Sequence, residues 1–577
     1  MSIKLFIPIC SARLNSHRNT FTPISKLPPE VLGRIFEFTV APESEFLENL
    51  SEFPPSIPPR LTAWYHNLLL VCTWWAKVAT TCPRMWYHIV DDDMIDRAPR
   101  RYMTRYYPQV VLRRSGQATP LHLYTAVPPR PTPESVPWWI IKNQPVRVNA
   151  LHITLRDART QSEALLESLA TSLPSLRLLT VDAHRSSYAH AIGQDMPIIL
   201  CGEVLNLEAL TWSIGVPFLP GNTFPSLAHL NLHERSSIFR DDICCLDSIL
   251  RLLSNCPRLE TLVFAQSSLD VATGMGPDRG PVRLNHLRAL WVQGQDLAVN
   301  SALKFLSYLD LPKDATVRLS NLSELDPDYP SEPTEPPTSL PFLAQMDCPA
   351  RLDVIHCEGG HRDDAERYAF HFIVVGPRSR FWLHMPGNST IALHCLALLY
   401  KMLPKEPIET VRVSVLTMRG FTFLPLILGQ LPSLTTLLVR HSKVSSPVVA
   451  AAGVAALVRA LGPGRGSVNN VPAPRLKTVG LELTCTPTTS LAPLVSVFEE
   501  RKKCCHPLAT VQHKLVGVDM RDVDEMKEHV TEGLGDVDGK LWIPVIDEGW
   551  RVKNDYWRLY PTPWDEYSGW GFSLEEW

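Results

Sequence analysis

Residue types that bind metal ions gather in one short stretch of the sequence: Cys357, Glu358, His361, Asp363 and Asp364. A tetrahedral site needs three or four ligands at set positions, and no second Cys/His pair lies at a suitable spacing. We therefore expect an ordinary charged loop and no metal. The G-x-S-x-G, Walker lysine and H-E-x-x-H motifs are absent, and no carboxylate pair or Cys/His arrangement stands out. The sequence predicts a protein that is not an enzyme and needs no cofactor.

A basic, aromatic stretch at residues 97–114 holds six arginines and three tyrosines, which could stack on bases and neutralise phosphates. The whole chain, however, has a net charge of −3. Without a global positive field we expect a linker helix there, and no binding of nucleic acid or of an anionic membrane. The longest apolar run, within residues 447–461, is shorter than a membrane span and is broken by Arg459.

The composition is that of a folded protein. Of 577 residues, 45% are apolar and 20% are charged, which excludes a mainly disordered chain. The 51 prolines predict short elements rather than long helices. The 13 cysteines are odd in number and contain no C-x-x-C pair, as expected of reduced thiols in a cytoplasmic or nuclear protein. Residues 1–20 are predicted to form a flexible tail.

Two helical patterns follow the tail. Residues 24–40 place apolar side chains at i, i+1, i+4 and i+5 from Val31, and Pro28 suits the first helical turn. Residues 61–80 again have a helical period, which Pro83 ends, and an aromatic, β-branched segment closes the unit. If the closing segment is taken as a third short helix, the unit has more large apolar side chains than about 65 residues bury internally, which indicates a partner surface.

The order and spacing of these residues resemble an F-box. The chain is also similar in style to F-box proteins of mushroom-forming fungi, in which a segment like Arg114-Ser-Gly…Pro120-Leu-His-Leu123 follows the box. Only the insert at residues 41–60 departs from the family, because it is longer than usual. The matching strings are Leu27-Pro28-x-Glu30-Val31-Leu32-x-x-Ile35-Phe36, Leu70-Val71-Cys72-x-x-Trp75-x-x-Val78-Ala79 and Pro83-x-x-Trp86-x-x-Ile89.

This resemblance implies a three-helix F-box that binds a Skp-family adaptor and, through it, a cullin-RING ubiquitin ligase. From the residues alone, the alternative is a local helical core with no adaptor bound. The matching positions imply an adaptor-binding surface made of Leu27, Pro28, Glu30, Val31, Leu32, Ile35, Phe36, Leu70, Val71, Cys72, Trp75 and Trp86.

The rest of the chain repeats one apolar spacing, Φ-x-x-Φ-x-Φ, nine times. Helical patterns fill the gaps, at residues 161–172, 241–255, 301–311, 391–403, 448–461 and 491–502, so each unit is predicted to be a short strand followed by a helix. The arrangement resembles an irregular leucine-rich repeat solenoid, although a doubly wound α/β domain would also alternate strands and helices. The triplets are Val148/Leu151/Ile153, Leu176/Leu179/Val181, Leu207/Leu210/Trp212, Leu227/Leu230/Leu232, Leu259/Leu262/Phe264, Leu287/Leu290/Val292, Ile408/Val411/Val413, Leu434/Leu437/Val439 and Leu476/Val479/Leu481.

A solenoid presents a concave strand surface, where repeat arrays bind other proteins. Strand positions expected to be exposed on that surface are candidates for contact with a target protein. They are Arg177, Arg288, Trp291, Arg412 and Arg440.

Together these patterns predict an α/β chain in four parts: a tail (residues 1–20), an F-box (21–95), a leucine-rich repeat-like solenoid (96–535) and a Trp-rich cap (536–577). The cap is expected to cover the end of the solenoid rather than to bind a partner. The hypothesis is a substrate-recognition subunit of an SCF-type (Skp–cullin–F-box) ubiquitin ligase, with an unknown protein substrate. A non-ligase leucine-rich repeat scaffold is the main alternative, and an enzyme assembled from distant repeats is a third.

Overall fold

A computed structural model describes about three fifths of the chain, which divides into two compact units. The first contains the described residues up to Cys244 and residues 248–259, and the second contains residues 245–247 and 260–536. The predicted tail, the insert at 41–60 and the predicted cap after residue 536 lie outside the described residues. The described ranges are 22–39, 68–69, 71–91, 107–127, 135–155, 157–183, 196–202, 204–233, 244–265, 269–270, 280–293, 299–320, 322, 340–358, 368–386, 401–403, 407–415, 424–441, 447–462, 471–484, 490–516 and 520–536.

In the first unit, six described strands follow one another in space in chain order, and each pair of neighbours is parallel. The strands are β1 (His88–Val90), β2 (Leu121–Ala126), β3 (Val148–Leu155), β4 (Leu178–Ala183), β5 (Ala209–Ser213) and β6 (His229–His233). The helices are α1 (Pro29–Thr39), α2 (Thr73–Thr81), α3 (Tyr107–Arg114), α4 (Val136–Asn143) and α5 (Ala158–Ser168), with 3₁₀ turns at Pro23–Lys26, Pro83–Met85, Pro145–Arg147 and Leu200–Gly202. Strand β7 (Cys244–Cys245) and helix α6 (Leu246–Ser254) follow in the chain.

The second unit is also a mixed α/β structure with a mainly parallel sheet. Its strands are β8 (Thr261–Ala265), β9 (Leu269–Asp270), β10 (Val282–Arg283), β11 (Ala289–Gln293), β12 (Leu309–Asp310), β13 (Thr316–Ser320), β14 (Arg351–Glu358), β15 (Tyr368–Val375), β16 (Arg380–Pro386), β17 (Thr410–Val415), β18 (Thr436–His441), β19 (Thr478–Thr484), β20 (Leu508–Val516) and β21 (Val530–Asp536). Its helices are α7 (Val299–Ser307), α8 (Pro341–Gln345), α9 (Leu424–Leu428), α10 (Pro447–Leu461), α11 (Ala492–Lys503) and α12 (Met520–Glu528).

The large sheet of this unit runs in the order β8-β11-β13-β16-β15-β14-β17-β18-β19-β20-β21. Among its described strands, β15 is antiparallel to both of its neighbours, β14 and β16, and the other pairings are parallel. Between two parallel strands the chain must cross back to the end of the sheet at which the first strand began. Helices such as α10 and α11 make these crossover connections here.

The repeated apolar triplets align in the sheets as the sequence predicts. In the first unit the middle residues of four triplets, Leu151, Leu179, Leu210 and Leu230, are paired in one register across β3 to β6. In the second unit the middle residues of further triplets pair in the same way. These pairs are Leu262–Leu290, Val411–Leu437 and Leu437–Val479, and all of the paired residues are buried.

The turn before each strand also repeats. The first leucine of a triplet donates its N–H to the carbonyl three residues earlier: Leu176 to Leu173 at 3.0 Å, and Leu434 to Leu431 at 3.4 Å. Proline follows the accepting residue in both cases, at the second position of the turn, where its fixed φ is favourable. The sequence signal for the repeat is therefore a local turn as well as an apolar pattern.

A bifurcated bond links each strand entry to the one before. The N–H groups of Thr435 and Thr436 both donate to Glu409 O, at 2.8 and 3.0 Å. At the entry to the next strand, β19, the N–H groups of Lys477 and Thr478 both donate to Thr435 O, at 2.9 Å each. Identical bonding at successive strands keeps the register constant, so each strand presents equivalent positions to the same face.

A buried arginine joins two helices in the second unit. Arg501 of α11 is fully buried, and its guanidinium donates to Leu461 O at 3.1 Å, to Pro472 O at 2.9 Å and to Ala473 O at 3.0 Å. Burial lowers the pKa of Arg501 to about 10. The three carbonyl acceptors offset part of the cost of burying this charge.

Candidate functional site

Helix α1 holds the first string of the predicted site. Pro28 and Pro29 set the backbone for helix entry, Leu32 N–H donates to Pro28 O at 3.0 Å, and Glu30 lies near the positive end of the helix dipole. Leu32 and Phe36 are fully buried. Val31, one position away around the helix, is 45% exposed. The helix thus separates an inner apolar face from an outer one.

The second predicted helix, at residues 61–80, is wrong as one continuous element. Residues 61–67 lie outside the described part, and the helix that contains Trp75 begins only at Thr73. Cys72 breaks the pattern because its backbone is extended (φ −162°, ψ 168°), and its thiol accepts the N–H of Trp75 at 3.4 Å. A side-chain acceptor at this position satisfies a free N–H of the first turn, and apolar periodicity does not reveal it.

The inner faces of α1 and α2 pack against each other. The rings of Phe36 and Trp75 lie 5.0 Å apart with a 59° tilt, a favourable arrangement for an aromatic pair. Val78 and Ala79 of α2 are buried on the same side. Together with Leu32, these residues form a small apolar core that fixes the helices against each other.

Polar side chains close one end of this helical pair. Glu37 lies 2.9 Å from Arg34 and 3.9 Å from Arg84, and the thiol of Cys82 donates to its Oε1 at 3.5 Å. Burial, and then the neighbouring Glu37 carboxylate, raise the pKa of Cys82. The thiol therefore stays protonated, as a donor must.

Trp86 connects the helical pair to the sheet of the first unit. Its ring is 1% exposed, its Nε1 donates to Ala79 O at 2.7 Å, and the guanidinium of Arg114 lies 4.5 Å from the ring centroid. The contact is within cation–π range. Two residues later the chain enters β1, where His88 pairs with His122 of β2. In place of a third helix, the described residues here form the 3₁₀ turn Pro83–Met85 and this strand.

The structure separates the twelve predicted residues by exposure. The buried ones are Leu32, Phe36, Cys72 and Trp86, and Leu70 lies outside the described residues. Those of intermediate exposure are Leu27, Ile35, Val71 and Trp75, and the exposed ones are Pro28, Glu30 and Val31. Leu27, Pro28, Val31 and Ile35 form an outer apolar stripe, to which the structure adds Ile24, 37% exposed, a residue that the sequence analysis missed.

The first sheet carries a row of aromatic and histidine side chains on β1 to β3. The rings of Tyr124 and His152 stack at 4.4 Å with 2° between their planes, and His88 and His122 are 5.1 Å apart. Burial lowers the pKa of His152 to about 3 and that of His122 to about 4. It also lowers the pKa of His88, with smaller contributions from the other two histidines. All three are uncharged in the fold near neutral pH.

The described residues contain no group of three or more His, Cys, Asp or Glu side chains able to hold a metal ion. Of the metal-capable stretch, Cys357 and Glu358 end β14, and the other three residues lie outside the described ranges. Of the basic stretch at 97–114, only helix α3 is described. Within the described ranges, none of the helices is both long and apolar enough to cross a bilayer.

Comparison with known proteins gives no relative on which to base an assignment. No protein-family model matches the chain, and no curated protein matches it.

Proposed function

We propose that this protein is the substrate-recognition subunit of an SCF-type ubiquitin ligase, binding a Skp-family adaptor through α1 and α2. The observation that carries the proposal is an outer apolar stripe, made of Leu27 and Pro28 just before α1 and of Val31 and Ile35 on it. The other face of α1 is buried. Its residues match the F-box string in order and spacing. Water-exposed aliphatic residues beside a rigid core are typical anchors of a protein interface.

The buried members of the string have a supporting role in this proposal. Leu32, Phe36, Cys72 and Trp86 hold the two helices in place, so the outer stripe keeps its shape without the partner. A preorganised surface loses less conformational entropy when it binds.

The repeated strands support the leucine-rich repeat interpretation over a doubly wound domain. A doubly wound sheet reverses its strand order at a switch point, whereas the described strands of the first unit follow chain order from β1 to β6. In the proposed mechanism the chain performs no chemistry. It holds a target protein near a ubiquitin-charged enzyme, so its contribution is proximity.

Adaptor binding is the test. Purified full-length chain is titrated with a recombinant Skp-family adaptor by isothermal calorimetry, comparing wild type with Val31→Glu and with Leu27→Ala/Pro28→Ala. The matched control is Val146→Glu, which adds the same charge at a valine that is 64% exposed elsewhere in the first unit. We expect tight binding by wild type and control, and at least a tenfold loss (about 1.4 kcal/mol) in both stripe variants.

Absence of binding by a folded wild-type chain would remove the ubiquitin hypothesis. Adaptor binding without recruitment of a cullin-RING ligase would instead favour the non-ligase scaffold. Val31→Glu is the sharper variant because its side chain already faces water, so a loss of binding cannot be attributed to loss of the core.

A further inference from the structure

Six polar side chains form a grid on one face of the first sheet, where β4, β5 and β6 lie side by side. Residues that are paired across neighbouring strands lie on the same face of a sheet, as do residues two apart along a strand. The opposite face is apolar, with Leu179, Leu210 and Leu230 buried. We name as the polar grid the side chains of Thr180 and Asp182 on β4, Thr211 and Ser213 on β5, and Asn231 and His233 on β6.

Three polar atoms of this grid have no hydrogen-bond partner among the residues that the structure describes. They are Ser213 Oγ, Asn231 Oδ1 and His233 Nδ1, and all three are shielded from solvent. Ser213 as a whole is 1% exposed, so bulk water cannot satisfy its hydroxyl. A buried polar atom without a partner destabilises the fold. Three such atoms on neighbouring positions therefore indicate a place where a ligand forms hydrogen bonds.

Asp182 determines how His233 can bind a ligand. Its Oδ1 lies 3.2 Å from His233 Nε2, and the pair reaches across β5. A carboxylate accepts hydrogen bonds, so Nε2 carries the hydrogen and Nδ1 of the neutral ring keeps its lone pair. Asn231 Oδ1 is an acceptor as well, and a serine hydroxyl can also accept. The polar grid therefore offers three acceptors beside a negative charge.

Serine, histidine and aspartate also form the catalytic triads of hydrolases, but their arrangement here is different. An activated serine donates its hydrogen bond to the histidine, which lies between the serine and the carboxylate. Ser213 Oγ and His233 Nδ1 form no such bond, and Ser213 lies on the strand that the Asp182–His233 pair reaches across. The arrangement therefore favours binding over catalysis.

We propose that the polar grid binds a primary ammonium group, which donates to Ser213 Oγ, Asn231 Oδ1 and His233 Nδ1 at once. A primary ammonium has three N–H donors and no acceptor, so it matches three acceptors. Acceptors about 2.9 Å from one nitrogen, in tetrahedral directions, lie about 4.7 Å apart, close to the spacing of about 4.8 Å between neighbouring strands. Asp182, which is 5% exposed, supplies a negative charge that offsets the cost of burying the cation.

The three acceptors are reached over Asn231 and His233, which are partly exposed. The side chain of His233 is 16% exposed, whereas Thr211 and Ser213 behind it are buried. A ligand therefore enters with its ammonium group first and leaves the rest of its chain toward solvent. A small free amine and a lysine side chain of another protein share this chemistry. This inference does not rest on adaptor binding, which is tested separately at α1.

Saturation-transfer NMR with n-butylammonium and the full-length chain tests the assignment. The matched control ligand is N,N,N-trimethylbutylammonium, which keeps the charge and the alkyl chain but has no N–H donor. We expect saturable transfer to n-butylammonium and at least about tenfold weaker binding of the trimethyl ligand, because its hydrogen bonds are lost.

A third ligand, Nα-acetyl-lysine methylamide, distinguishes the two sources of the ammonium group. Binding at least about tenfold tighter than that of n-butylammonium assigns the site to a lysine side chain, because the added peptide groups then make further contacts. Equal binding assigns it to a small amine.

Two substitutions should change the affinity in opposite directions. Ser213→Ala should weaken n-butylammonium binding at least about tenfold without lowering the melting temperature, because it removes a buried hydroxyl that none of the described residues satisfies. Asn231→Asp keeps the acceptor and adds a negative charge, so it should tighten binding several-fold, a gain that misfolding could not produce. Ser254→Ala, which removes an exposed hydroxyl from α6, is the control and should leave binding unchanged.

The assignment is overturned if folded wild type shows no saturation transfer to n-butylammonium, or if the trimethyl ligand binds as tightly. It is also overturned if Ser213→Ala binds as wild type does, since the ammonium group then lies elsewhere. Weaker binding by Asn231→Asp would exclude a cation at this position.

Discussion

The three histidines His88, His122 and His152 of β1 to β3 should make the first unit unstable in acid. A histidine in an unfolded chain has a pKa near 6.5, so it is charged at pH 5. In the fold, burial lowers the pKa of His152 to about 3 and that of His122 to about 4, and it lowers the pKa of His88. Below pH 6.5 the unfolded chain therefore binds more protons than the folded one, and the free energy of unfolding must fall with pH.

The size of this effect follows from linkage. A histidine that stays neutral in the fold destabilises it by roughly 2 kcal/mol between pH 7 and pH 5. Three such histidines together cost roughly 6 kcal/mol, comparable with the whole stability of a typical domain. His122 should contribute the least of the three, because part of its surface is exposed whereas His88 and His152 are buried.

His152→Phe isolates one of these contributions. A phenyl ring can keep the stack on Tyr124, at 4.4 Å between centroids, but it cannot take up a proton. At pH 8 the variant should unfold within about 1 kcal/mol of wild type. At pH 5 it should be more stable than wild type by roughly 2 kcal/mol. His286→Gln, which removes an exposed histidine, is the control for loss of an arbitrary histidine.

Urea unfolding at both pH values, followed by a short hydrogen-exchange pulse at one fixed pH, gives the required local readout. Peptides that cover β2 and β3 report the first unit, whereas circular dichroism would average over both units. If the stability difference between His152→Phe and wild type is the same at pH 5 and pH 8, the argument from histidine burial fails.

Three further predictions concern the fold. Trp86→Ala removes a buried ring and its hydrogen bond, and should lower stability by about 3–5 kcal/mol in urea unfolding; a change below about 1 kcal/mol would contradict the packing. Gly376→Ala should lower the melting temperature by several degrees, because a Cβ there would lie 2.5 Å from a backbone carbonyl oxygen, whereas Gly280→Ala, with nothing within 4 Å, should not. Arg501→Met should destabilise the second unit by about 3 kcal/mol or more, measured by hydrogen exchange, because it leaves three carbonyl groups without their donor. Faster exchange confined to the first unit would refute this.

Nine of the parallel strands, β3 to β6, β8, β11 and β17 to β19, could be predicted from the sequence because their signal is local. Each triplet contains the leucine that closes a turn and the two residues that point inward, so one window of six residues specifies both the strand and its register. Helices α5, α10 and α11 were also placed correctly, within a few residues at each end. Strand β15 carries no such triplet, and its antiparallel pairing depends on β14 and β16, which lie far from the turn signals. Its place in the sheet could not be read from the sequence.

The chemistry of the strand face was harder to predict. Arg177 and Arg288 are exposed, as expected, with 52% and 81% of their side chains accessible. Trp291, expected to be exposed, is 5% exposed, and Arg412 and Arg440 are sheltered. A charged residue on a strand normally indicates exposure to solvent, and only the pairing of β17 with β18 shows that Arg412 and Arg440 lie on the same face of neighbouring strands.

In the predicted adaptor surface, too, the sequence did not tell which side chains are exposed. Val31 and Leu32 are adjacent, both aliphatic, and both fit the helical pattern. Only the position of α2 decides that Leu32 faces the core and Val31 faces water, since Phe36 must meet Trp75. A sequence pattern can therefore identify the string without telling which members can touch a partner.

The way α1 and α2 connect to the first sheet bears on the proposed mechanism. The chain leaves α2 through one 3₁₀ turn and enters β1, whose flanks are held by the bonds from His122 N–H to Tyr87 O at 2.9 Å and from Asp91 N–H to Tyr124 O at 2.8 Å. The buried hydrogen bond from Trp86 Nε1 to Ala79 O holds this turn against α2. A surface joined to a sheet through a paired strand cannot swing as it would on a flexible linker. If the adaptor binds α1, a target held on the first sheet is therefore presented at a fixed distance, which is the condition under which proximity alone accelerates a transfer.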